Sequence, residues 1–261
     1  KNLLTSYSSA INLDLERLGT VADADQIKDT ANAQPLIVAA SLISAHALGS
    51  DVNASFVAGH SVGEIAAAAL AGTITDIDAM KLVHLRGQEM AKTIGEWSKT
   101  LDLGALHVSP LQRAQETAAP IAAAHNISIT TDERLIEAAN IFEGKPFGVG
   151  DGVLRHPAAW KHLWNPWKPS WGEPYDEQIN RMLAAIFAAR EAANGKDAIC
   201  VSHQLPIWIL RSAIENRRLL HDPRKRECTL ASVTSVHFDD EGMISGLTYS
   251  EPARHLLPET K

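Results

Sequence analysis

The stretch LGALHVSPLQRAQETAAPIAAAHNISIT, Leu103–Thr130, decides the fold class of this chain. The apolar run Leu103–Val108 predicts a buried strand, and the following pair Ser109 and Pro110 is typical of the start of a helix. A second strand is predicted at Ile127–Thr130. A strand, a helix and a strand in succession are typical of a parallel sheet.

The same alternation continues along the chain on both sides of this stretch. Apolar spacing and turn residues predict the following further elements: a helix over Gln34–Leu48, a buried strand at Ala54–Ala58, a helix over Ser61–Leu70, a helix capped by Thr75 and Asp76, a helix over Asp176–Ala193, a strand at Ala198–Val201, a helix from Pro206 to about Asn216, and a hairpin of Val233–Phe238 with Met243–Thr248. The sequence therefore predicts an α/β fold with a mainly parallel sheet flanked by helices.

Composition and charge limit the classes of function. The chain is 45% hydrophobic and 21% charged, as in ordinary globular proteins with a core, and its net charge of −7 argues against a general nucleic-acid or anionic-membrane binder. No apolar run is long and uncharged enough to span a bilayer. Cys200 and Cys228 have neither metal-ligand spacing nor a disulfide framework, so we expect reduced thiols, a cytoplasmic location, and no metal or cofactor.

A nucleophile elbow is predicted at Gly59-His60-Ser61-Val62-Gly63. A serine between two glycines, on a turn from a strand into a helix, presents its hydroxyl group outward. The backbone N–H groups at the start of the following helix can stabilise a developing oxyanion. The alternative interpretation is a turn of small residues that packs a helix onto a sheet.

Motifs around this elbow carry a family resemblance. They fall in order as Ala33–Leu36, Val57–Glu64, Ala69–Gly72 and Leu85–Met90. Residues 11–92 thereby resemble malonyl-CoA:acyl carrier protein transacylase in its actinobacterial form. The resemblance implies a partial acyltransferase α/β unit, with malonyl-CoA and acyl carrier protein of fatty acid synthesis as partners.

The resemblance also implies two site residues in this part of the chain. Ser61 would be the acyl-accepting nucleophile, and Arg86 would pair with the free carboxylate of malonate, for which a bidentate guanidinium is suited. The alternative for Arg86 is a solvated helix arginine.

The transacylase set is incomplete in this sequence. The family's Gly-Gln-Gly-Ser-Gln loop and its downstream histidine base are not found, because the resemblance ends near residue 92. A serine without a base is a weak nucleophile. His60 is next to Ser61, but adjacent side chains at an elbow usually point apart.

A second set of motifs occupies the rest of the chain. Ser109–Thr117 contains an arginine motif, Leu135-Ile136-Glu137 an acid motif, Gly172-Glu173 precedes a helix, and Val201-Ser202-His203 ends a strand. From about Gln88 to residue 253 the chain resembles the histidine phosphatase, or phosphoglycerate-mutase-like, superfamily. The resemblance implies a phosphoglycerate-mutase-like fold in the C-terminal two-thirds and a small-molecule phosphate ester as ligand.

The resemblance assigns roles to three of these residues. Arg113 and His203 would hold the phosphate and stabilise its transferring charge. Glu137 would protonate the leaving oxygen. The alternatives are an arginine on a helix face, a surface glutamate and a histidine that caps a strand.

This second set of motifs lacks the nucleophile of the superfamily. In that superfamily the first strand ends in Arg-His-Gly, which supplies the nucleophilic histidine. No Arg-His-Gly occurs in the sequence. We therefore expect two joined pieces, a partial transacylase-like segment at residues 1–91 and a histidine-phosphatase-like domain at residues 92–261 without its first strand. Residues 54–60 are one candidate to replace that strand, which would bring His60 towards Arg113 and His203.

Three functional hypotheses follow from these incomplete sets. The first is a phosphate-ester-binding domain with impaired phosphomonoester hydrolysis, the second a malonyltransferase that uses Ser61 and Arg86, and the third a catalytically inactive chimera. Two basic runs, Arg217-Arg218 and Arg224-Lys225-Arg226, have two interpretations. They either attract an anionic substrate or form solvated faces.

Overall fold

The computed structural model of the chain contains two sets of helices and a parallel sheet. It describes residues 2–22, 27, 30–49, 54–59, 62–141, 153–163, 171–222 and 225–256. The chain divides into two compact units, Lys1–Glu89 and Met90–Lys261.

The first unit is helical in the ranges that are described. Its helices are α1 (Asn2–Ile11), α2 (Leu15–Thr20), α3 (Thr30–Leu48), α4 (Gly63–Leu70) and α5 (Asp76–Ser98), of which α5 contributes residues to both units. Tyr7, Leu15, Leu42 and Met80 are fully buried in one core cluster. Burial of such side chains stabilises a fold by roughly 1.5–3 kcal/mol each. The predicted helix over Gln34–Leu48 is confirmed by α3.

The strand predicted at Ala54–Ala58 is wrong. Residues 54–59 form no strand, and their side chains are exposed, with Phe56 94% accessible. A five-residue apolar run becomes a strand only where a neighbouring strand satisfies its backbone groups, and no described strand pairs with it. The hypothesis that this segment replaces the missing strand is therefore wrong for residues 54–59. Ser61 and His60 lie outside the described residues.

The second unit is built on a parallel sheet. In the described ranges its strands lie in the order β2 (Thr130–Thr131), β1 (Leu103–Val108) and β3 (Asp197–Val201). Its helices are α6 (Gln112–His125), α7 (Tyr175–Ala192) and α8 (Gln204–Ile214), and short 3-10 helices cover Glu133–Leu135, Val153–Arg155, Pro157–His162 and Arg254–Leu256. The strand predicted at Ile127–Thr130 is wrong for residues 127–129, because β2 contains only Thr130 and Thr131. The other predicted strands and the helices of this unit are confirmed, and α8 begins two residues before Pro206.

Close packing of another backbone segment against β1 restricts the residue type at one position of this strand. The register of β1 against β3 shifts between Leu103 and Ala105, at Gly104. A Cβ atom on Gly104 would lie 2.5 Å from the carbonyl oxygen of Ala193, in the turn before β3. This turn therefore packs directly onto the strand, which requires glycine at position 104.

A separate hairpin of β4 (Val233–Phe238) and β5 (Ile244–Ser250) confirms the predicted antiparallel pair. Val233 and Val201 pack against the same core cluster, which contains Leu106 and Val108. Within the described residues, however, β3 pairs only with β1, and β4 pairs only with β5. Each of these two strands thus keeps one edge without a strand partner among the described residues. Nowhere in the described ranges is a helix both long and apolar enough to cross a bilayer.

Gly104→Ala is expected to lower the free energy of unfolding by about 1–3 kcal/mol, because the added methyl group overlaps the Ala193 carbonyl. Urea unfolding followed by circular dichroism measures the change. Gly246→Ala in β5 is the matched control, since its Cβ atom would meet nothing within 4 Å. Equal stabilities of the two variants would contradict the packing argument.

Candidate functional site

The carboxyl ends of β1 and β3 bring two polar side chains together. Because the strands are parallel and adjacent, Ser109 after β1 and His203 after β3 lie at the same edge of the sheet. The Ser109 backbone N–H donates to the Val201 carbonyl at 2.9 Å, which extends the strand pairing to the site. The Ser109 Oγ atom lies 2.8 Å from His203 Nε2, and both residues are buried.

Arg113 reaches the same histidine from the first turn of α6. Its Nε–H donates to His203 Nδ1 at 3.3 Å. An arginine can only donate, so Nδ1 carries the lone pair and the ring proton is on Nε2. His203 Nε2–H therefore donates to Ser109 Oγ. The contacts orient the ring from both sides, and the Nη groups of Arg113 are left to bind a ligand.

His203 is neutral at physiological pH. Burial, together with the nearby positive charges of Arg113 and Arg181, lowers its pKa from 6.5 to about 4. A neutral ring is required for the observed contact, because a doubly protonated imidazole has no acceptor for the Arg113 N–H group.

Glu137 lies in the same electrostatic environment. Burial raises the pKa of its carboxyl group, while the Ala138 N–H, at 2.9 Å from Oε1, and the charges of Arg113, Arg226 and Arg181 act in the opposite direction. A carboxyl group with a raised pKa holds its proton to higher pH, which suits a proton donor.

A half-buried ion pair positions the backbone that carries Glu137. Arg181 forms a bidentate pair with Glu173, at 2.6 Å (Nε to Oε1) and 2.8 Å (Nη2 to Oε2). Its Nη1 group donates to the carbonyl oxygens of Arg134 at 2.6 Å and Ile136 at 2.8 Å. The segment immediately before Glu137 is therefore fixed to α7.

Backbone contacts hold the segment immediately after Glu137. Asn140 and Gly172 form an antiparallel bridge, and the Glu173 N–H donates to the Ala139 carbonyl at 3.1 Å. A Cβ atom on Gly172 would lie 2.5 Å from that carbonyl oxygen. Gly172 is therefore needed for the approach of these two segments, which gives the Gly172-Glu173 motif a structural role.

The predicted site residues divide into three groups. Arg113, Glu137 and His203 share one environment in the second unit. Arg86 lies on α5 in the first unit, half-buried, with its Nη1 atom buried and without a hydrogen-bond partner among the described residues. Ser61 and His60 lie outside the described residues, so their predicted roles stay predictions.

Sequence reasoning missed three contributors to this environment. Ser109 was expected only to open a helix, although it stands at the end of a buried strand. Arg181 lies eight residues after Glu173, and no pattern marked it as the partner of that carboxylate. Arg226 belongs to a basic run whose exposure the sequence left open. Among the described residues, no group of histidine, cysteine and acidic side chains is arranged to hold a metal ion.

Two family profiles match the chain. The Acyl transferase domain matches residues 9–131, and the Histidine phosphatase superfamily (branch 1) matches residues 74–248. The two matches overlap over residues 74–131.

Curated relatives resemble different parts of the chain. The uncharacterized protein Rv0525 of Mycobacterium tuberculosis is 49% identical over 167 residues, which cover 64% of this chain and 82% of that protein. The malonyl CoA-acyl carrier protein transacylase of Mycobacterium bovis is 53% identical over 96 residues, which cover 34% of this chain and 31% of the enzyme. The chain thus spans about a third of the transacylase to which its N-terminal part is similar.

A solved structure has the same fold as the second unit. Bacillus stearothermophilus YhfR is 25% identical, with a TM-score of 0.50, and the match covers 61% of this chain and 79% of that one. The expected phosphoglycerate-mutase-like α/β fold is confirmed, and the N-terminal part resembles an acyl transferase domain. Since the phosphatase profile spans more than half of the sequence and its arginine, acid and histidine motifs meet at one sheet edge, this chain belongs to the histidine phosphatase superfamily, branch 1.

Proposed function

We propose that the second unit binds small-molecule phosphate monoesters at Arg113 and His203. The observation that carries the proposal is the 3.3 Å contact between these two side chains at the carboxyl ends of adjacent parallel strands. The contact leaves the Arg113 Nη groups to donate to phosphate oxygens, and guanidinium groups bind phosphate in a bidentate manner. His203 thereby acts by orienting Arg113 as much as by contacting the ligand.

Hydrolysis by this site is expected to be slow. Glu137 is suited to protonate a leaving oxygen, because burial raises its pKa. The attacking group is the missing part, since the sequence contains no Arg-His-Gly. Among the described residues, no second histidine lies within hydrogen-bonding distance of Arg113 or His203. Binding of a phosphate ester with impaired turnover is the function that this residue set supports best.

The chain combines two protein pieces in this proposal. Residues 1–91 are the partial transacylase-like segment, and residues 92–261 are the phosphatase-like domain. Both family profiles include residues 86–91, where the two resemblances meet. A junction within α5 rather than within a linker supports an origin by recombination, because independent domains are usually joined by exposed, flexible segments.

Malonyl transfer is the second candidate function, and one observation favours it. Arg86 carries a buried Nη1 atom without a hydrogen-bond partner among the described residues. An unsatisfied buried donor of this kind is costly, and the carboxylate of malonate would satisfy it. Malonyl-CoA and acyl carrier protein are the corresponding proposed partners, with Ser61 as the acyl-accepting residue. A catalytically inactive chimera is the third alternative.

Arg113→Gln is expected to weaken binding of an aryl phosphate by roughly 10- to 100-fold, because a charge-assisted hydrogen bond contributes about 1.5–3 kcal/mol. Isothermal titration calorimetry measures the affinity. Arg218→Gln is the matched control, because Arg218 is an exposed arginine of the same unit. Equal affinities of the Arg113 and Arg218 variants would refute the proposed site.

His203 is expected to make folding stability depend on pH. In the folded protein its pKa is about 4, and unperturbed it is 6.5, so between these values the unfolded chain binds more protons. The stability of the wild type relative to His203→Gln should therefore fall as pH decreases from 6.5 towards 4, by at most about 3 kcal/mol. Urea unfolding of both proteins across this range gives the difference. Parallel pH profiles would contradict a neutral, buried His203.

Incubation with malonyl-CoA tests the second candidate. If the elbow is active, mass spectrometry of the intact protein shows a malonyl adduct that Ser61→Ala abolishes. Arg86→Ala should reduce the adduct from malonyl-CoA but not from acetyl-CoA, which has no free carboxylate. No adduct on the wild type would dismiss acyl transfer while leaving the phosphate proposal untouched.

A further inference from the structure

Arg226 is held next to the histidine of the candidate site. Its Nη1 group donates to Gln204 Oε1 at 3.4 Å, and Gln204 directly follows His203 at the start of α8. The Gln204 Nε2 group in turn donates to the carbonyl oxygen of Cys228 at 2.9 Å. Residues 226–228 are thus attached to the end of α8 that carries His203.

Further contacts fix the direction of the Arg226 guanidinium. Arg211, buried on α8, donates to the Glu227 carbonyl at 3.1 Å and pairs with the Glu227 carboxylate at 3.0 Å. The Nε–H group of Arg226 donates to His221 Nε2 at 2.8 Å. His221 is neutral in this contact, with its Nδ1–H donating to the Leu219 carbonyl at 2.6 Å. The half-buried Arg226 side chain is therefore held in place by neutral partners.

Positive charge in this environment is not fully balanced. Arg181 is neutralised by its bidentate pair with Glu173. Within the described ranges, neither Arg113 nor Arg226 forms an ion pair with a carboxylate. Both charges act on Glu137, whose ionisation is opposed by burial. The single carboxyl group of Glu137 can therefore neutralise at most one of the two positive charges of Arg113 and Arg226.

We propose that Arg226 is a second anion-binding residue of this candidate site, and that Arg113 and Arg226 together select doubly charged phosphate monoesters over singly charged esters. This inference rests on the proposed phosphate-binding function. A phosphate monoester carries nearly two negative charges above its second pKa of about 6, whereas a sulfate ester of the same shape carries one. The two positive charges of Arg113 and Arg226 match the two negative charges of a phosphate monoester. A sulfate ester would leave one of these positive charges unbalanced.

Phenyl phosphate and phenyl sulfate are the probes, because they differ in charge and hardly in shape. Isothermal titration calorimetry at neutral pH compares wild type, Arg226→Gln and Arg226→Lys. The wild type is expected to prefer phenyl phosphate by about tenfold or more. Arg226→Gln should lose most of this preference, through weaker binding of phenyl phosphate, and Arg226→Lys should retain a large part of it because it keeps the charge.

The ratio of the two affinities separates electrostatic recognition from a structural role. If Arg226 only supports the fold, Arg226→Gln weakens both probes equally, and the inference is overturned. Arg218→Gln, which removes an exposed charge from the same unit, should leave the ratio unchanged. Circular dichroism and thermal unfolding verify that each variant is folded.

The wild type alone provides a second test, which is independent of the folding of any variant. Its preference for phenyl phosphate should decrease as pH falls below about 6, where this ligand loses its second charge and phenyl sulfate keeps its single one. A preference that does not change with pH overturns the inference. If the wild type binds neither probe, the phosphate-binding function itself fails; if it binds phenyl phosphate but Arg226→Gln keeps the ratio, only the role of Arg226 fails.

Discussion

The parallel pairing of β1 with β3 is the constraint on which the candidate site depends. Parallel neighbours end at the same edge of a sheet, so the residues that follow them converge although they are far apart in sequence. Ser109 and His203 are 94 positions apart, yet Oγ and Nε2 lie 2.8 Å from each other. The turn before β3 packs closely onto Gly104 of β1, and at the other end of these strands Arg113 Nε lies 3.3 Å from His203 Nδ1.

A second structural support holds the acid residue against this edge. The segment around Glu137 forms no strand, so its position is not determined by the sheet ladder. Arg181, Glu173 and Gly172 fix it from both sides instead, through carbonyl contacts and a backbone bridge. The same packing buries Glu137 and raises its pKa, so the contacts that position this carboxyl group also adjust its chemistry.

In the proposed function, the chain keeps residues that would bind a phosphate ester but lacks the Arg-His-Gly motif of the superfamily. The residues proposed to bind the phosphate lie where β1 and β3 end and where α8 begins. Within the described residues, β3 and β4 each have one unpaired edge. Unpaired edges favour association with other strands. The proposed composite origin accounts for the absence of Arg-His-Gly from the sequence.

The sequence by itself determined the α/β class and most of the helices and strands, and its motifs singled out Arg113, Glu137 and His203 as candidates, because periodicity and short motifs are local properties of a chain. It failed at residues 54–58, where a short, mostly apolar run predicts a buried strand but pairs with no strand in the described part of the chain. It also left open whether Arg226 is solvated, and it gave no sign that Arg181 supports the acid residue. Only the tertiary structure decided these points, since burial, pKa and charge balance depend on groups that are distant in sequence and become neighbours when the sheet and its helices pack.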